Sequence, residues 1–138
     1  MTKIYIDANI AQQLAVGLNI FQNHLNKKEK WQFEVISISE KFGHGAKDEE
    51  WIPVLGSEKA IVITQDIHIQ TTRHQRDLYN QHGLGVFFIK PPSNKGFSFW
   101  EMVILLIGHW EDIKNKSVKT KRPFAFRCSS RKNFEPLD

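Results

Sequence analysis

The 138-residue chain lacks most features of exported, membrane-spanning or metal-stapled proteins. Its single cysteine, Cys128, excludes an internal disulfide, and no Cys/His spacing resembles a zinc site. The longest apolar run, Met102–Gly108, is far below the roughly 18–20 residues of a membrane span. The chain opens on a strand pattern without the regions of a signal peptide. We therefore expect a soluble cytoplasmic protein, folded as one domain around its own core.

Positive charge is concentrated near the C-terminus, although the formal net charge of +4 is modest. From Lys114 onward the chain contains eight Lys and Arg residues against two acids, Glu135 and Asp138. A basic tail of this kind favours a polyanionic partner such as nucleic acid. The alternative is a solvated surface that only keeps the protein soluble.

Strand and helix patterns alternate along the chain without repeats or a long linker. The predicted strands are Lys3–Asp7, Phe33–Ile38, Ala60–Thr64, Gly85–Ile89 and Pro123–Cys128. The predicted helices are about Ala8–Lys28, a segment regular only from near Ile52, about Thr71–His82 and about Phe99–Lys114. The irregular start is expected because Pro53 lies too deep for a helix that begins at Glu49. The residues Phe42–Ala46 read as a flexible turn.

This alternation predicts an α/β domain with a central, mostly parallel sheet flanked by helices in three layers. Right-handed crossovers would order the first four strands 2-1-3-4, which opens a crevice between strands 1 and 3. Asp7 and Asp66 end these two strands, and Asp48 begins the acidic stretch that can close over the same edge. Carboxylates gathered there repel one another, so a hard divalent cation such as Mg²⁺ or Mn²⁺ is expected.

Each acid also has a purely structural interpretation. Asp7 could cap the following helix, and Asp66 could cap a turn. The run Asp48–Glu50 could complement the dipole of the helix that it begins, and Glu50 fits that role best. Thr64 is expected to orient Asp66 through its hydroxyl, and Asn9 to orient Asp7 or a metal-bound water, although both could be ordinary loop residues.

Three motifs in order along the chain resemble one family. They are Ile4–Asp7 followed by Asn9, the Asp-Glu-Glu-Trp sequence at Asp48–Trp51, and Ile63–Asp66. In these features the chain resembles PIN and PIN-like domains, small metal-dependent ribonucleases, many of them toxins of bacterial and archaeal toxin–antitoxin pairs. The resemblance is best over residues 1 to about 90, the acidic-site core. Residues 91–138, with a helix and the basic strand Arg122–Arg127, look like the tail of one compact branch.

The resemblance implies a metal-dependent endoribonuclease that belongs to a toxin–antitoxin pair. Asp7, Asp48 and Asp66 would be catalytic and would bind Mg²⁺ or Mn²⁺ with Glu49, supported by Asn9 and Thr64. The candidate RNA-binding residues are Arg73, Arg76, Lys119, Arg122 and Arg127. The expected partners are RNA and an antitoxin protein, with a homodimer left open. Relatives often have acids where this chain has Ala8 and His68, so an inactive RNA- or partner-binding module is the alternative.

Other residue types carry less functional signal. A haloacid-dehalogenase phosphatase also begins with a strand and an Asp, but its second Asp would fall at Asn9, which ranks that activity low. His44 and His68 lie near the acids in sequence and are expected to face solvent. Trp51, Trp100 and Trp110 are expected to pack in the core or between helices.

Overall fold

The computed structural model of the protein describes residues 1–66, 69–129 and 133–137. Within these ranges the strands are β1 (Thr2–Ile6), β2 (Phe33–Ser37), β3 (Ile61–Gln65), β4 (Gly85–Lys90), β5 (Phe124–Ser129) and β6 (Glu135–Pro136). The helices are α1 (Gln12–Asn26), α2 (Ile38–Phe42), α3 (Asp48–Ser57), α4 (Ile69–Gln81) and α5 (Phe99–Lys119). The predicted alternation of strand and helix is confirmed.

The strands form a single sheet in the order β2-β1-β3-β4-β5-β6. Strands β1 to β5 run parallel, and β6 pairs antiparallel with β5. The predicted order of the first four strands is therefore confirmed, and the sheet continues past them. Because β1 and β3 are neighbours whose following segments leave in opposite directions, a crevice opens at their carboxyl ends.

Helices cover the two faces of the sheet and make three layers. On one face, Ile4 and Ile6 of β1 pack in a core with α1 and α5, which contribute residues such as Leu14 and Leu106. On the other face, Tyr5 packs in a second core with α3 and α4. The period of two along β1 assigns alternate side chains to the two cores. The central strands are buried on both faces, which explains their nearly continuous apolar sequences.

Two predicted helix starts are wrong. Helix α1 begins at Gln12 instead of Ala8, because residues 7–11 form a turn in which the Ile10 N–H donates to the Asp7 carbonyl. Helix α3 is regular from Asp48, with Pro53 in its interior. The missing N–H of Pro53 weakens the helix, and burial of Ile52 and its neighbours against the sheet offsets that loss.

Three other features differ from the sequence prediction. Helix α2 was missed; it begins just after Ser37, whose hydroxyl accepts the Glu40 N–H and caps the helix. The two-residue strand β6 was too short to predict. Helix α5 extends to Lys119 because its last turns still bury Ile113, Lys114 and Ser117. No helix among the described residues is long and apolar enough to cross a membrane.

The tryptophan prediction holds in part. Trp51 and Trp110 are buried in the two cores, as expected. Trp100 is 70% exposed and contacts only its neighbour Phe99 among the ring contacts of the described residues, so its predicted packing role is wrong. It lies in the first turn of α5, beyond the edge of the core that the later turns cover.

Candidate acidic site at the carboxyl edge of the sheet

Asp7 is a buried carboxylate at the end of β1. Its backbone N–H donates to the Ile63 carbonyl of β3 at 3.0 Å, which continues the sheet pairing. Its Oδ1 accepts the Ala8 N–H at 2.6 Å, and its Oδ2 accepts the Thr64 hydroxyl at 2.6 Å. The residue that precedes α1 is Ala11, so Asp7 does not cap that helix. The structural alternative for Asp7 is thereby removed.

Asn9 and Thr64 connect the loop after β1 to the end of β3. The Asn9 side-chain amide donates to the Thr64 hydroxyl and to the Gln65 carbonyl, both at 3.2 Å, and its oxygen accepts the Gln65 N–H at 3.2 Å. The Gln65 side-chain amide donates to the Asn9 carbonyl in return. Two predictions are wrong. The Thr64 hydroxyl donates to Asp7 and not to Asp66, because Asp7 lies across the β1–β3 pairing. The Asn9 side chain contacts the end of β3 and not the Asp7 side chain.

Asp48 reaches the same edge from the first turn of α3. It is half-buried, and its Oδ2 accepts the Gln75 side-chain N–H from α4 at 3.3 Å. Glu49 is exposed, and its Oε1 lies 3.0 Å from Nε2 of His74, also on α4. Glu50 is exposed in the same turn, where negative charge complements the helix dipole. Contacts from α4 therefore position Asp48 and Glu49.

Asp7 and Asp48 both have raised pKa values. Burial raises the pKa of Asp7 and the charge of Asp48 raises it further, while the hydrogen bonds from Thr64 and Ala8 act in the opposite direction. Burial also raises the pKa of Asp48; the Gln75 hydrogen bond opposes this rise, and the charge of Glu49 adds to it. The pair thus carries negative charge that the protein compensates only in part.

Asp66, the third predicted acid, has a different environment. It follows β3, its N–H donates to the Ile89 carbonyl of β4 at 2.9 Å, and its side chain is buried. Its Oδ2 lies 2.7 Å from a terminal nitrogen of Arg127 on β5. Arg127 was predicted to contact RNA. Its side chain is 39% exposed and pairs with Asp66 because β5 is parallel to β4 and ends at the same edge; its contact with RNA stays a prediction.

The side chains at this edge are of the type that binds a hard divalent cation, but their arrangement does not form a complete metal site. Carboxylate oxygens such as those of Asp7 and Asp48 are the ligands that Mg²⁺ and Mn²⁺ prefer. Yet no group of three His, Cys, Asp or Glu side chains in the described part of the chain is arranged to hold a metal ion. The sequence predicted a cluster of three acids. The structure has two acids, Asp7 and Asp48, beside an Asp66 that is paired with Arg127.

Tyr79 is a residue of this site that the sequence did not reveal. It is 1% exposed, and its hydroxyl has no hydrogen-bond partner among the described residues. Burial raises its pKa well above the ordinary value, and the charges of Asp7 and Asp48 add to that rise. Its ring packs against Trp51, one turn after Asp48. Nothing in the sequence pattern indicates that a tyrosine near the end of a polar helix lies beside these acids.

The predicted RNA-binding residues are not equivalent in the structure. Arg73 is exposed and Arg76 half-buried on α4, while Lys119 is exposed at the end of α5. Burial lowers the pKa of Arg122, which precedes β5. Lys114 was predicted to be the first residue of the basic tail, but its side chain is buried and paired with Glu29 at 2.8 Å. It is a core residue, since it lies on the buried face of α5.

Of the two histidines near the acids in sequence, the structure describes His44. His44 is exposed in the loop between α2 and α3, as expected. His68 lies outside the described residues, as do Arg131 and Lys132 of the tail. His74, which the sequence did not single out, is the histidine that contacts an acid of the site.

Comparison with known proteins supports one family. A family model described as a PIN-like domain matches residues 2–91, which include β1 to β4 and the acids at their carboxyl edge. A search of curated proteins and a search of solved structures returned no match.

Proposed function

Because the chain belongs to the PIN-like domain family, we propose that it is a metal-dependent endoribonuclease that hydrolyses RNA phosphodiester bonds. PIN-like domains are generally nucleases, and the sheet and helices of this chain have the corresponding α/β architecture. The observation that carries the proposal is the placement of two acids at this edge: buried Asp7, which is held by Thr64 after β1, and Asp48, which is held by Gln75 at the start of α3. That edge is where parallel α/β sheets bind their ligands.

In this proposal Asp7 and Asp48 hold one Mg²⁺ or Mn²⁺ ion. A bound ion of this type lowers the pKa of its water and offsets charge on the scissile phosphate. The protein supplies the position of the acids: Thr64 and the Ala8 N–H orient Asp7, and Gln75 orients Asp48. Burial of Asp7 excludes water from one side of the site.

Asp66 and Glu49 have conditional roles in this proposal. Asp66 becomes a third donor when Arg127 releases it, and RNA phosphates that compete for the arginine would promote that release. Glu49 is exposed, and its contact with His74 lowers its pKa, so it is available as an ionised outer ligand. The asymmetry between Asp7 and Asp66 predicts that Asp7 contributes more to cation binding.

The test is cleavage of single-stranded and structured RNA with Mg²⁺, with Mn²⁺ or with EDTA. Asp7→Asn and Asp48→Asn should each lower cleavage by at least about a hundredfold, because the amide keeps the shape but loses the charge that holds the cation. Glu50→Gln is the matched control, since it removes one charge from the same helix turn. Full cleavage by an Asp7→Asn/Asp48→Asn variant would refute the mechanism, and melting temperatures must show that the variants fold.

We further propose that the protein is the toxin of a toxin–antitoxin pair and acts in the cytoplasm. The resemblance of its motifs supports this role, and an antitoxin would cover the acidic edge. Expression of the chain alone should then slow host growth, while the Asp7→Asn variant should not. Rescue by a protein encoded beside this gene would identify the antitoxin. Normal growth on expression of an enzyme that cleaves RNA in vitro would refute the toxin role.

A second candidate is a PIN-like module that binds RNA or a protein partner without turnover. The observation that favours it is the Arg127–Asp66 ion pair, together with Ala8 where relatives often have an acid. A site with one neutralised carboxylate binds a cation more weakly. RNA binding without cleavage, at Mn²⁺ concentrations that saturate the protein, would decide for this module.

A further inference from the structure

A groove on the α4 face of the sheet has no assigned role. Its volume is about 540 Å³, and it lies between α4 and the carboxyl-terminal strands of the sheet. Its floor includes Ala125 of β5 and Leu137, which stay half-buried although they pack against the inner core of this face. Helices α3 and α4 supply most of the helical residues of that core, so the outer strands are covered only in part.

The wall of the groove that α4 forms is polar and charged. Arg73, Arg76, Asp77 and Asn80 line it, and their spacing of three, four and seven residues places them on one face of the helix. Two guanidinium groups against one carboxylate give this wall a net positive charge. Arginines favour a phosphate, while Asp77 and Asn80 offer acceptors and donors for an amino group or a ribose hydroxyl.

The same helix separates the groove from the acids. His74 and Gln75 of α4 contact Glu49 and Asp48, whereas the residues on either side of them in sequence line the groove. Tyr79 belongs to both regions, because it lines the groove and lies within electrostatic range of Asp7 and Asp48. Val86 and Phe124 place the far end of the groove at the amino-terminal starts of β4 and β5, so a bound strand would run along α4 between the groove and the acids.

We propose that this groove binds one nucleotide of a single-stranded RNA whose scissile phosphodiester lies at the acidic site. Arg73 and Arg76 hold its phosphate, Asp77 and Asn80 contact ribose or base, and the aliphatic floor receives the flat face of the base. The groove volume lies within the roughly 300–1,000 Å³ of small-ligand sites. This inference rests on the proposed function for its choice of RNA.

A free phosphate ion fits this groove less well than a nucleotide does. Asp77 would repel an inorganic phosphate bound beside the arginines, whereas a nucleotide places a donor group near that carboxylate. A base would also cover the apolar floor of the groove and remove it from water, which a small anion would not do. Single-stranded RNA is favoured over a duplex because its bases are free to leave the stack.

The experiment is binding of a short fluorescent single-stranded RNA in EDTA, which separates binding from cleavage. Arg73→Gln/Arg76→Gln should weaken binding about tenfold and lower the salt-dependence slope by about 0.7, since each phosphate neutralised on a single strand contributes about 0.7 and the two arginines hold one phosphate. Lys27→Gln/Lys28→Gln is the matched control, because it removes two exposed charges beyond α1, on the opposite face of the sheet. Asp77→Asn should weaken mononucleotide binding but should not weaken inorganic phosphate binding.

The outcomes separate this inference from the proposed function. Equal losses in the two double variants would overturn the groove as a specific site and leave only general attraction of RNA. Competition by inorganic phosphate as strong as by a mononucleotide would also overturn it. Binding lost only in Arg73→Gln/Arg76→Gln, by a protein that never cleaves RNA, would uphold the groove and refute the nuclease. Cleavage and binding unchanged in that variant would refute the groove alone.

Discussion

The pKa values of carboxylates are shifted in opposite directions at the two ends of the strands. At the amino-terminal edge, Glu58 accepts Lys3 at 2.6 Å and the Tyr5 hydroxyl at 3.0 Å, with Lys41 at 3.4 Å. Burial would raise the pKa of Glu58, but these partners outweigh burial and lower it. At the carboxyl edge the pKa values of Asp7 and Asp48 are raised instead.

A second network at the amino-terminal edge repeats this compensation. Lys114 donates to both oxygens of Glu29, at 2.8 and 2.9 Å, and to the fully buried Gln22 at 3.0 Å. Trp110 also donates to the Gln22 side-chain oxygen at 3.0 Å. Burial of Glu29 is again outweighed, by Lys114 first and then by Gln22, and its pKa is lowered.

The difference separates acids that stabilise the fold from acids that are available for chemistry. Glu29 and Glu58 have cationic partners within the chain, so their charge is already balanced. Asp7 and Asp48 have hydrogen-bond donors but form no salt bridge among the described residues, and the charge of His74 opposes the raised pKa of Asp48 only in part; such uncompensated acids are typical of functional sites. Asp66 is intermediate, because it lies at the functional edge but is paired with Arg127.

The largest effect on stability is expected at the compensated edge. Lys114→Met should lower the free energy of unfolding by about 2–3 kcal/mol, because it leaves Glu29 and Gln22 without their buried cation; the partial exposure of Glu29 limits the loss. Lys116→Met is the control, since its pair with Asp112 lies on the outer part of α5 and should cost about 0.5 kcal/mol or less. Urea denaturation measures both, and equal losses would contradict the distinction.

At the functional edge, Arg127→Gln should tighten Mn²⁺ binding at least about threefold, because Asp66 loses the cation that now neutralises it. Isothermal calorimetry gives the affinity. Lys119→Gln changes the net charge equally at an exposed position and should have less effect. Unchanged affinity in Arg127→Gln would show that Asp66 does not join the cation site.

The two edges should also respond to pH with opposite signs. The raised pKa of Asp7 means that the folded protein binds protons more tightly, so metal-free stability falls as pH rises above the unfolded value of 3.8. The lowered pKa of Glu58 contributes stability above 4.5 that is lost as pH falls. In EDTA, Asp7→Asn should therefore raise the melting temperature at neutral pH, and Glu58→Gln should lower it.

Thermal unfolding across about pH 3–7 tests this contrast, over the interval that spans the unfolded carboxyl pKa values. The side-chain oxygen that remains in the Asp7→Asn variant can still accept the Ala8 N–H, and the Thr64 hydroxyl can rotate, so the substitution keeps the local contacts. A lower melting temperature for Asp7→Asn at neutral pH would show that the carboxylate is compensated after all.

The smallest effect is expected for two tyrosines that differ in hydrogen bonding. Tyr79→Phe should stabilise the protein by about 0.5–1 kcal/mol, because it removes a buried hydroxyl without a partner among the described residues and keeps the ring contacts. Tyr5→Phe should cost about 1 kcal/mol, since that hydroxyl contacts Glu58 and Lys41. Destabilisation by Tyr79→Phe would indicate a partner for its hydroxyl.

Most of the fold was predictable because the central strands have strong local patterns. The apolar runs in β1, β3 and β4, with the acids that follow β1 and β3, indicated a parallel sheet, and its first four strands have the predicted order. Helix starts were less predictable, because contacts with distant strands influence them, as the contact of Asn9 with the end of β3 does before α1. Strand β6 depends on pairing with β5 and has no local signal.

The sequence by itself determined the class of the fold and the position of Asp7, Asp48 and Asp66 in or beside the acidic edge, because strand ends and helix starts follow from local periodicity. Only the tertiary structure decided what each acid contacts. Residues far apart in the chain meet there: Thr64 reaches Asp7 across 57 positions, and Arg127 reaches Asp66 from another strand. Which carboxylate keeps its charge uncompensated depends on those distant contacts, and local sequence patterns do not encode them.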